Sequence, residues 1–260
     1  DGTIDGATYS NGTLDLDGNL TIAANGTLSA PRGNLALSAN IDNDGTFTNN
    51  NGKLLSDGAT YITGDADPVF YDFESTSGQT RFQINITIEN NLTTSGSAST
   101  TYIWLGTTLT MGTATSAATL VHNKSTFWFY AYAGGHLATL QGASALYPVQ
   151  VQGSVGTFNF GGDGGIAQLS NVDFQRDITT DGVTDHIKLT GDCEFDAVTV
   201  NSGDTLDLNG QRAVFGGAFD LTTGALAMND SMAVFTNTID FNGRVPTSNT
   251  GTTIIHDPPS

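Results

Sequence analysis

The sequence is poor in the residues that build disulfides, helices and membrane spans. Cys193 is its single cysteine, so no disulfide can form within the chain. Only three residues are Glu, and no dozen residues keep the apolar spacing of an amphipathic helix. No apolar run approaches the ~18 residues that a membrane span needs. We therefore expect a helix-poor segment without membrane insertion.

Positive charge is also scarce. Eight basic residues face 26 acidic ones, which gives a formal net charge of -18 and a pI near 4.1. This balance argues against nucleic acid as a partner, because phosphate binding relies on clustered Lys and Arg. Nearly all of the acid is Asp, whose short carboxylate accepts hydrogen bonds from nearby backbone N–H groups in turns. The acidity is thus expected at turns, where it also keeps a repetitive surface soluble.

Leader and anchor signals are missing from the printed chain. It begins at Asp1 without a basic region of the signal-peptide type, opening on DGTIDG and closing on HDPPS. These ends are typical of a segment of a longer polypeptide, so any signal or anchor is expected outside it.

Short β-strands separated by tight turns are the dominant pattern. Runs of Thr, Val, Ile and aromatic residues alternate with Gly, Asn and Asp, and Asn-Gly or Asp-Gly pairs turn a chain sharply. In TLDLDG, residues 13 to 18, Leu14 and Leu16 point to one face and Asp15 to the other, and TLDLNG at 205 to 210 repeats this pattern. Imperfect repeats of this kind predict an all-β chain of stacked β-solenoid rungs, with a meander or sandwich of hairpins as the alternative.

The central part of the chain is less regular. RFQINITIEN, residues 81 to 90, predicts one alternating strand with Phe82, Ile84, Ile86 and Ile88 inward. TYIWLGTTLTM and STFWFYAYAGG carry apolar groups on both faces, which is typical of strands between two layers or at an interface. We therefore predict β-repeats over 1–65, a central aromatic-rich, sandwich-like or irregular β domain over 66–190, and β-repeats with a C-terminal linker over 191–260.

The repeats carry a family resemblance. NGTLDLDGNLTIAANGTLSA and TGDCEFDAVTVNSGDTLDLNGQRAVFGG resemble the Gly/Asn/Thr-rich rungs of β-helical surface proteins. These include bacteriophage virion and tail-fibre proteins, those of marine phages in particular, and autotransporter-type adhesins. The resemblance covers roughly residues 1 to 65 and 190 to 243. It implies a structural role on a virion surface or in another extracellular setting.

A calcium site is one candidate for site chemistry. Asn40, Asp42 and Asp44 alternate before Gly45, like the front of an EF-hand loop, but the twelfth position is Asn51 rather than Glu. An ordinary Asn/Asp turn is the alternative, and no other cofactor is expected.

Enzymatic signals are weaker. Asp181, Asp185 and His186 form the most enzyme-like cluster, for which a polar turn is the simpler interpretation. His122, His136 and His256 have no metal-ligand spacing, and GGDGG at 161 to 165 lacks a basic partner for phosphate. We therefore expect no catalytic residue and no enzyme, with a carbohydrate-active β-helix enzyme as the remaining alternative.

Aromatic strands are the best candidate for binding. If Phe127 and Phe129 face the core, Trp128, Tyr130 and Tyr132 face outward together, and Trp104 belongs to the same group. Such a face packs on another sheet, contacts another subunit, or stacks on sugar rings. The sequence thus predicts a virion fibre, spike or decoration element, or alternatively a bacterial or archaeal adhesin, whose partners are copies of itself, other surface proteins or glycans.

Overall fold

The chain folds as a parallel β-solenoid of about ten turns, and its described residues form no helix. A computed structural model describes residues 12–95, 100–132, 136–162, 165–180, 182, 185–247 and 253–256, apart from the side chains of 123–125, 132, 154–157 and 161–162. All pairings between the strands in these ranges are parallel. The all-β solenoid prediction is therefore confirmed.

Each coil passes through three strand positions in turn, which we call faces A, B and C. The face A strands are β1 (Thr13–Leu16), β4 (Asn34–Leu37), β7 (Lys53–Ser56), β9 (Val69–Ser75), β11 (Ile86–Thr94), β14 (Thr119–Tyr132), β16 (Val149–Gly162), β18 (Val172–Phe174), β21 (Cys193–Phe195), β24 (Arg212–Phe215), β27 (Met232–Phe235) and β29 (Thr253–His256).

Faces B and C are built from shorter strands. Face B consists of β2 (Leu20–Ile22), β5 (Ile41–Asn43), β8 (Thr60–Thr63), β10 (Gln79–Phe82) and β12 (Thr100–Ile103), then the second halves of β14 and β16, and finally β19 (Ile178–Thr179), β22 (Val198–Thr199), β25 (Phe219–Asp220) and β28 (Ile239–Asp240). Face C consists of β3 (Thr27–Ser29), β6 (Thr46–Thr48), the starts of β9 and β11, β13 (Thr108–Met111), β15 (Leu137–Gly142), β17 (Ile166–Ser170), β20 (His186–Leu189), β23 (Thr205–Asp207) and β26 (Ala225–Ala227).

Inward side chains stack in columns along the solenoid axis. The face A column places the same position of every coil in register, and its members are Leu14, Leu35, Leu54, Phe73, Leu92, Leu120, Val151, Phe174, Phe195, Phe215 and Phe235. Apart from Leu14, which is partly buried in the first described coil, these side chains are buried. The period-2 alternation of the sequence thus produces a dry core that continues from coil to coil.

Phenylalanine rings close the last part of this column. Phe174 and Phe195 stack with ring centroids 5.5 Å apart, Phe195 and Phe215 at 5.3 Å, and Phe215 and Phe235 at 4.7 Å. Their planes differ by only 7° to 12°. Parallel, in-register strands impose this spacing, because neighbouring strands lie about 4.8 Å apart.

Coil length changes in the middle of the chain. Side-chain hydrogen bonds between most adjacent coils join residues 18 to 25 positions apart, whereas those of the central coils join residues 28 to 31 apart. The extra residues form the 14-residue strands β14 and β16 and two tight loops closed by the bridges Thr113–Ser116 and Ser144–Tyr147. The register of β14 against β16 also shifts at several points. The central region is thus an irregular part of the same sheet.

Asn and Asp side chains stabilise the corners. Asn19 Oδ1 accepts the backbone N–H of Asn40 at 3.2 Å, and Asp192 Oδ1 accepts that of Arg212 at 2.9 Å. Corner backbone groups cannot all join a strand ladder, so these acceptors satisfy donors of the adjacent coil. The expected link between aspartate and turns is therefore present in the structure.

One strand prediction is wrong. Residues 81 to 90 do not form a single strand, because β10 ends at Phe82 and β11 begins at Ile86. Asn85 occupies the corner between them, and its Oδ1 accepts the N–H of Thr108 at 3.0 Å. No Gly or Pro marks this corner in the sequence. The domain boundaries near 65 and 190 stay a prediction, and coil pairing continues across both positions.

Candidate functional site

The candidate site is an outward column of aromatic rings and one arginine on face B. Parallel register places Tyr61, Arg81, Tyr102 and Trp128 at equivalent positions of four successive coils. Their inward neighbours Ile62, Phe82, Ile103 and Phe129 belong to the core, so alternation turns the column outward. With Trp104 and Tyr130, which lie beside it, this set is called the aromatic column below.

The rings of the aromatic column stack along the solenoid axis. Trp104 and Tyr130 lie face to face with centroids 4.2 Å apart and planes 13° apart, and Tyr102 stacks on Trp128 at 5.6 Å and 20°. Edge-on contacts join the two rows, with Tyr102 at 6.3 Å from Trp104 and at 5.6 Å from Tyr130. Each contact of this kind stabilises by roughly 0.5–1.5 kcal/mol beyond its buried area.

The Arg81 guanidinium packs against the rings of Tyr61, Tyr102 and Trp104. Its guanidinium carbon lies 4.7 Å from the centre of the Tyr61 ring, 5.3 Å from Tyr102 and 4.8 Å from Trp104. A nitrogen of the guanidinium also donates to Gln79 Oε1 at 2.8 Å. One of the eight basic side chains of this acidic chain is thus held between ring faces, the arrangement that favours cation–π attraction.

This geometry covers both ring faces of Trp104 and Tyr102. Trp104 has Tyr130 on one side and Arg81 on the other, and Tyr102 lies between Trp128 and the same guanidinium. A sugar stacks on the flat face of an aromatic ring, whereas these rings are packed face against face. Chemically, the column is best suited to joining successive coils on their outer side.

Three of the four predicted aromatic site residues come together here. Trp104, Trp128 and Tyr130 are members of the column, whereas the side chain of Tyr132 lies outside the described residues. Phe127 and Phe129 are buried, as the alternation requires. Sequence reasoning missed Tyr61, Arg81 and Tyr102, although aligning TYIT, TRF and TYIW at the coil spacing would have found them.

The proposed calcium ligands lie at a corner and on the strand beside it. Asn40 Oδ1 accepts the N–H of Tyr61 at 2.9 Å, and Asp44 Oδ1 accepts that of Asp65 at 2.9 Å. Asp42 faces solvent with Thr63 Oγ1 at 3.4 Å. Within the described ranges, no group of three or more His, Cys, Asp or Glu could hold a metal ion. Calcium binding by Asn40, Asp42 and Asp44 stays a prediction.

The enzyme-like cluster divides between buried and half-buried groups. Asp185 is 1% exposed, and its N–H donates to Asp204 Oδ1 at 2.9 Å. His186 lies on face C with its Nε2 4.0 Å from Asp207 Oδ2. Burial lowers the pKa of His186, an effect that Asp207 opposes and Lys188 reinforces. Asp181 and part of the GGDGG turn lie outside the described residues.

The remaining reactive side chains are dispersed. Cys193 is buried, and burial raises the pKa of its thiol to about 12. His122 is buried with Nδ1 2.8 Å from Thr94 Oγ1, whereas His136 and His256 are exposed. The part of the chain that the structure describes contains no helix long and apolar enough to cross a membrane.

Comparisons with known proteins identified no relative of this chain. No protein-family model matches the chain, and neither a curated protein nor a solved structure matches it.

Proposed function

We propose that this chain is a rigid structural segment displayed on the exterior of a virion, as part of a fibre, spike or decoration element. The observation that carries the proposal is the unbroken face A column from Leu14 to Phe235. A continuous dry column with paired backbone between coils resists bending and local opening. About ten turns at about 4.8 Å each make a rod roughly 50 Å long.

The surface chemistry supports an exposed scaffold. The net charge of -18 disfavours close approach of identical rods, which limits clumping. Carboxylates at the corners serve a structural purpose as well, since Asp44 and Asp192 accept backbone N–H groups of adjacent coils. The same side chains thus secure the stack and solubilise it.

The aromatic column reinforces the coils that precede the least regular pairing of the rod, β14 with β16. It joins the coils of Tyr61, Arg81, Tyr102 and Trp128. The last of these strands, β14, carries Trp128 and Tyr130, and its register shifts where it pairs with the following strand, β16. We therefore assign the column to stiffness, with attachment to a host receptor as a separate, additional role of the assembled protein.

Location tests this proposal. Purified virus particles should contain peptides of this chain by mass spectrometry, and antibodies against it should label their surface in electron micrographs. Labelling of a cellular envelope, with no peptide in particles, would favour the adhesin alternative instead.

Activity is tested separately. The purified chain should release no product from a panel of acidic and neutral glycans. If it does, Asp185→Ala should be compared with Asp192→Ala, an exposed carboxylate outside the cluster. Loss of product with the first variant alone would replace the structural proposal by the enzyme alternative.

A further inference from the structure

A line of hydroxyl groups runs inside the mainly apolar solenoid. Ser56, Thr60, Ser75 and Thr80 are each 0% exposed and point into the corner between faces A and B. Ser56 Oγ lies 2.9 Å from Thr60 Oγ1 and 3.1 Å from Thr80 Oγ1, and Ser75 Oγ lies 2.9 Å from Thr80 Oγ1. We call these four residues the hydroxyl seam.

The seam joins coils at fixed positions. Ser56 is paired in register with Ser75, and Thr60 with Thr80. The next inward-facing positions on the same strands lie two residues away. There, Leu54 pairs with Phe73 and Ile62 pairs with Phe82. Between these two coils, polar positions therefore meet polar ones and apolar positions meet apolar ones, whereas on the preceding coil Ser56 is opposite Leu37.

The register between strands of successive coils is only partly specified by an alternating sequence of this type. A slip by one residue turns every core side chain outward and is rejected by alternation alone. A slip by two residues keeps all inward positions inward, so the alternating pattern does not exclude it. The corners discriminate against such a slip as well, because Gly58 and Gly78 pack against the backbone of the adjacent coil where a Cβ would not fit.

We infer that the hydroxyl seam sets the register of these coils by making two-residue slips unfavourable. A slip that brings residue 74 opposite Lys53 sets Ser75 against Leu54 and separates Ser56 from Thr80, the seam contact that joins the two coils. A buried hydroxyl without a hydrogen bond carries an uncompensated desolvation penalty, whereas a hydrogen bond to a second hydroxyl offsets that penalty. The seam thus favours the native stacking of these coils over a stacking shifted by two residues.

Disulfide trapping tests the inference. In a Cys193→Ala background, the pair Leu55→Cys/Glu74→Cys reports the native register, because residues 55 and 74 are direct partners. The pair Lys53→Cys/Glu74→Cys reports the slipped register, since its Cα atoms lie roughly 8 Å apart in the native one, beyond disulfide reach. Both pairs remove the Lys53–Glu74 ion pair equally.

The seam variant combines Ser56→Ala, Ser75→Ala, Thr60→Val and Thr80→Val, which keep size while removing every seam hydroxyl. With the seam intact, equilibration in a glutathione buffer should cross-link only the 55/74 pair. In the seam variant, we expect the 53/74 cross-link to rise at least fivefold while the β-sheet circular dichroism is retained.

Two controls make the outcome decisive. Leu54→Ala destabilises the same coils but keeps the seam, so it should lower the unfolding midpoint and leave the 53/74 pair uncross-linked. Thr80→Val alone removes the hydroxyl that joins Ser56 to Ser75 and should give a smaller rise. The inference is overturned if the seam variants cross-link only the 55/74 pair, if they lose their β-structure, or if Leu54→Ala slips equally.

Discussion

Trp104 and Tyr130 lie face to face on the outside of the solenoid, with ring centroids 4.2 Å apart. The contact joins two successive coils, because Trp104 and Tyr130 directly follow the paired residues Ile103 and Phe129. On its other side, Trp104 receives the guanidinium of Arg81 at 4.8 Å. An interaction on the outer surface thus holds together the coils that the core columns join from inside.

Replacing Trp104 by Ala should destabilise the chain. The substitution removes one stacked ring pair and one cation–π contact, so we expect a loss of about 1–3 kcal/mol in the free energy of unfolding. Trp104→Phe should lose less than half as much. Denaturant unfolding followed by circular dichroism measures the effect. Leu146→Ala, at a side chain 84% exposed, is the control and should change stability by less than about 0.5 kcal/mol. If Trp104→Ala and Leu146→Ala have the same free energy of unfolding, the aromatic column does not stabilise the solenoid.

Asp44 should matter as a hydrogen-bond acceptor at its corner. Asp44→Ala leaves the N–H of Asp65 without its 2.9 Å acceptor, for which we expect a loss of about 1 kcal/mol. Asp44→Asn retains an oxygen acceptor and should lose clearly less. Asp42→Ala, beside it but exposed, should have little effect in the presence of EDTA. Thermal melts with EDTA and with Ca²⁺ measure this, and a Ca²⁺-dependent loss in both variants would support the calcium prediction instead.

His186 should make stability depend on pH above the range where carboxylates titrate. Its pKa is lowered in the folded chain by burial, so the unfolded chain takes up the proton first as pH falls. The contribution is therefore present above the ordinary value of 6.5 and is lost as pH falls through that value towards the folded pKa. Between about pH 7.5 and 5.5, His186→Asn should lose less stability than the unaltered chain, as urea titrations at each pH would show. Identical pH profiles would mean that the imidazole is not desolvated.

Cys193 should be unreactive until the solenoid opens. Its thiol is 1% exposed and its pKa is raised to about 12 by burial, so the reactive thiolate is scarce near neutral pH. We expect no labelling by Ellman's reagent at about pH 8 under native conditions and stoichiometric labelling in denaturant. A Leu146→Cys, Cys193→Ala variant provides the positive control and should react at once. Rapid labelling of native Cys193 would show that the coils around β21 open readily.

The sequence was informative where side-chain chemistry alternates and uninformative where long-range register decides. Leu206 and Asp207 point inward and outward as the TLDL pattern predicts. The two TLDL segments, however, lie on different faces, since β1 belongs to face A and β23 to face C. Local alternation does not specify which face a strand joins, because that depends on the number of residues between corners.

The aromatic site shows the same limit. Trp128 and Tyr130 were evident because they lie in one strand, but Arg81 belongs to another coil and became a neighbour only through pairing of β10 with β12. The corner at Asn85 was missed because a single amide replaces the usual glycine signal. Contacts between coils depend on the register of strand pairing, and the period-2 pattern of the sequence does not determine that register.

The equal placement of Phe174, Phe195, Phe215 and Phe235 has a consequence for how such a rod changes its length. Because each ring meets the next in the same way, a complete coil between two of them is an interchangeable module. Insertion or removal of one such module would extend or shorten the reach of the protein while preserving the chemistry of the junctions, and each added coil would contribute one more packed junction.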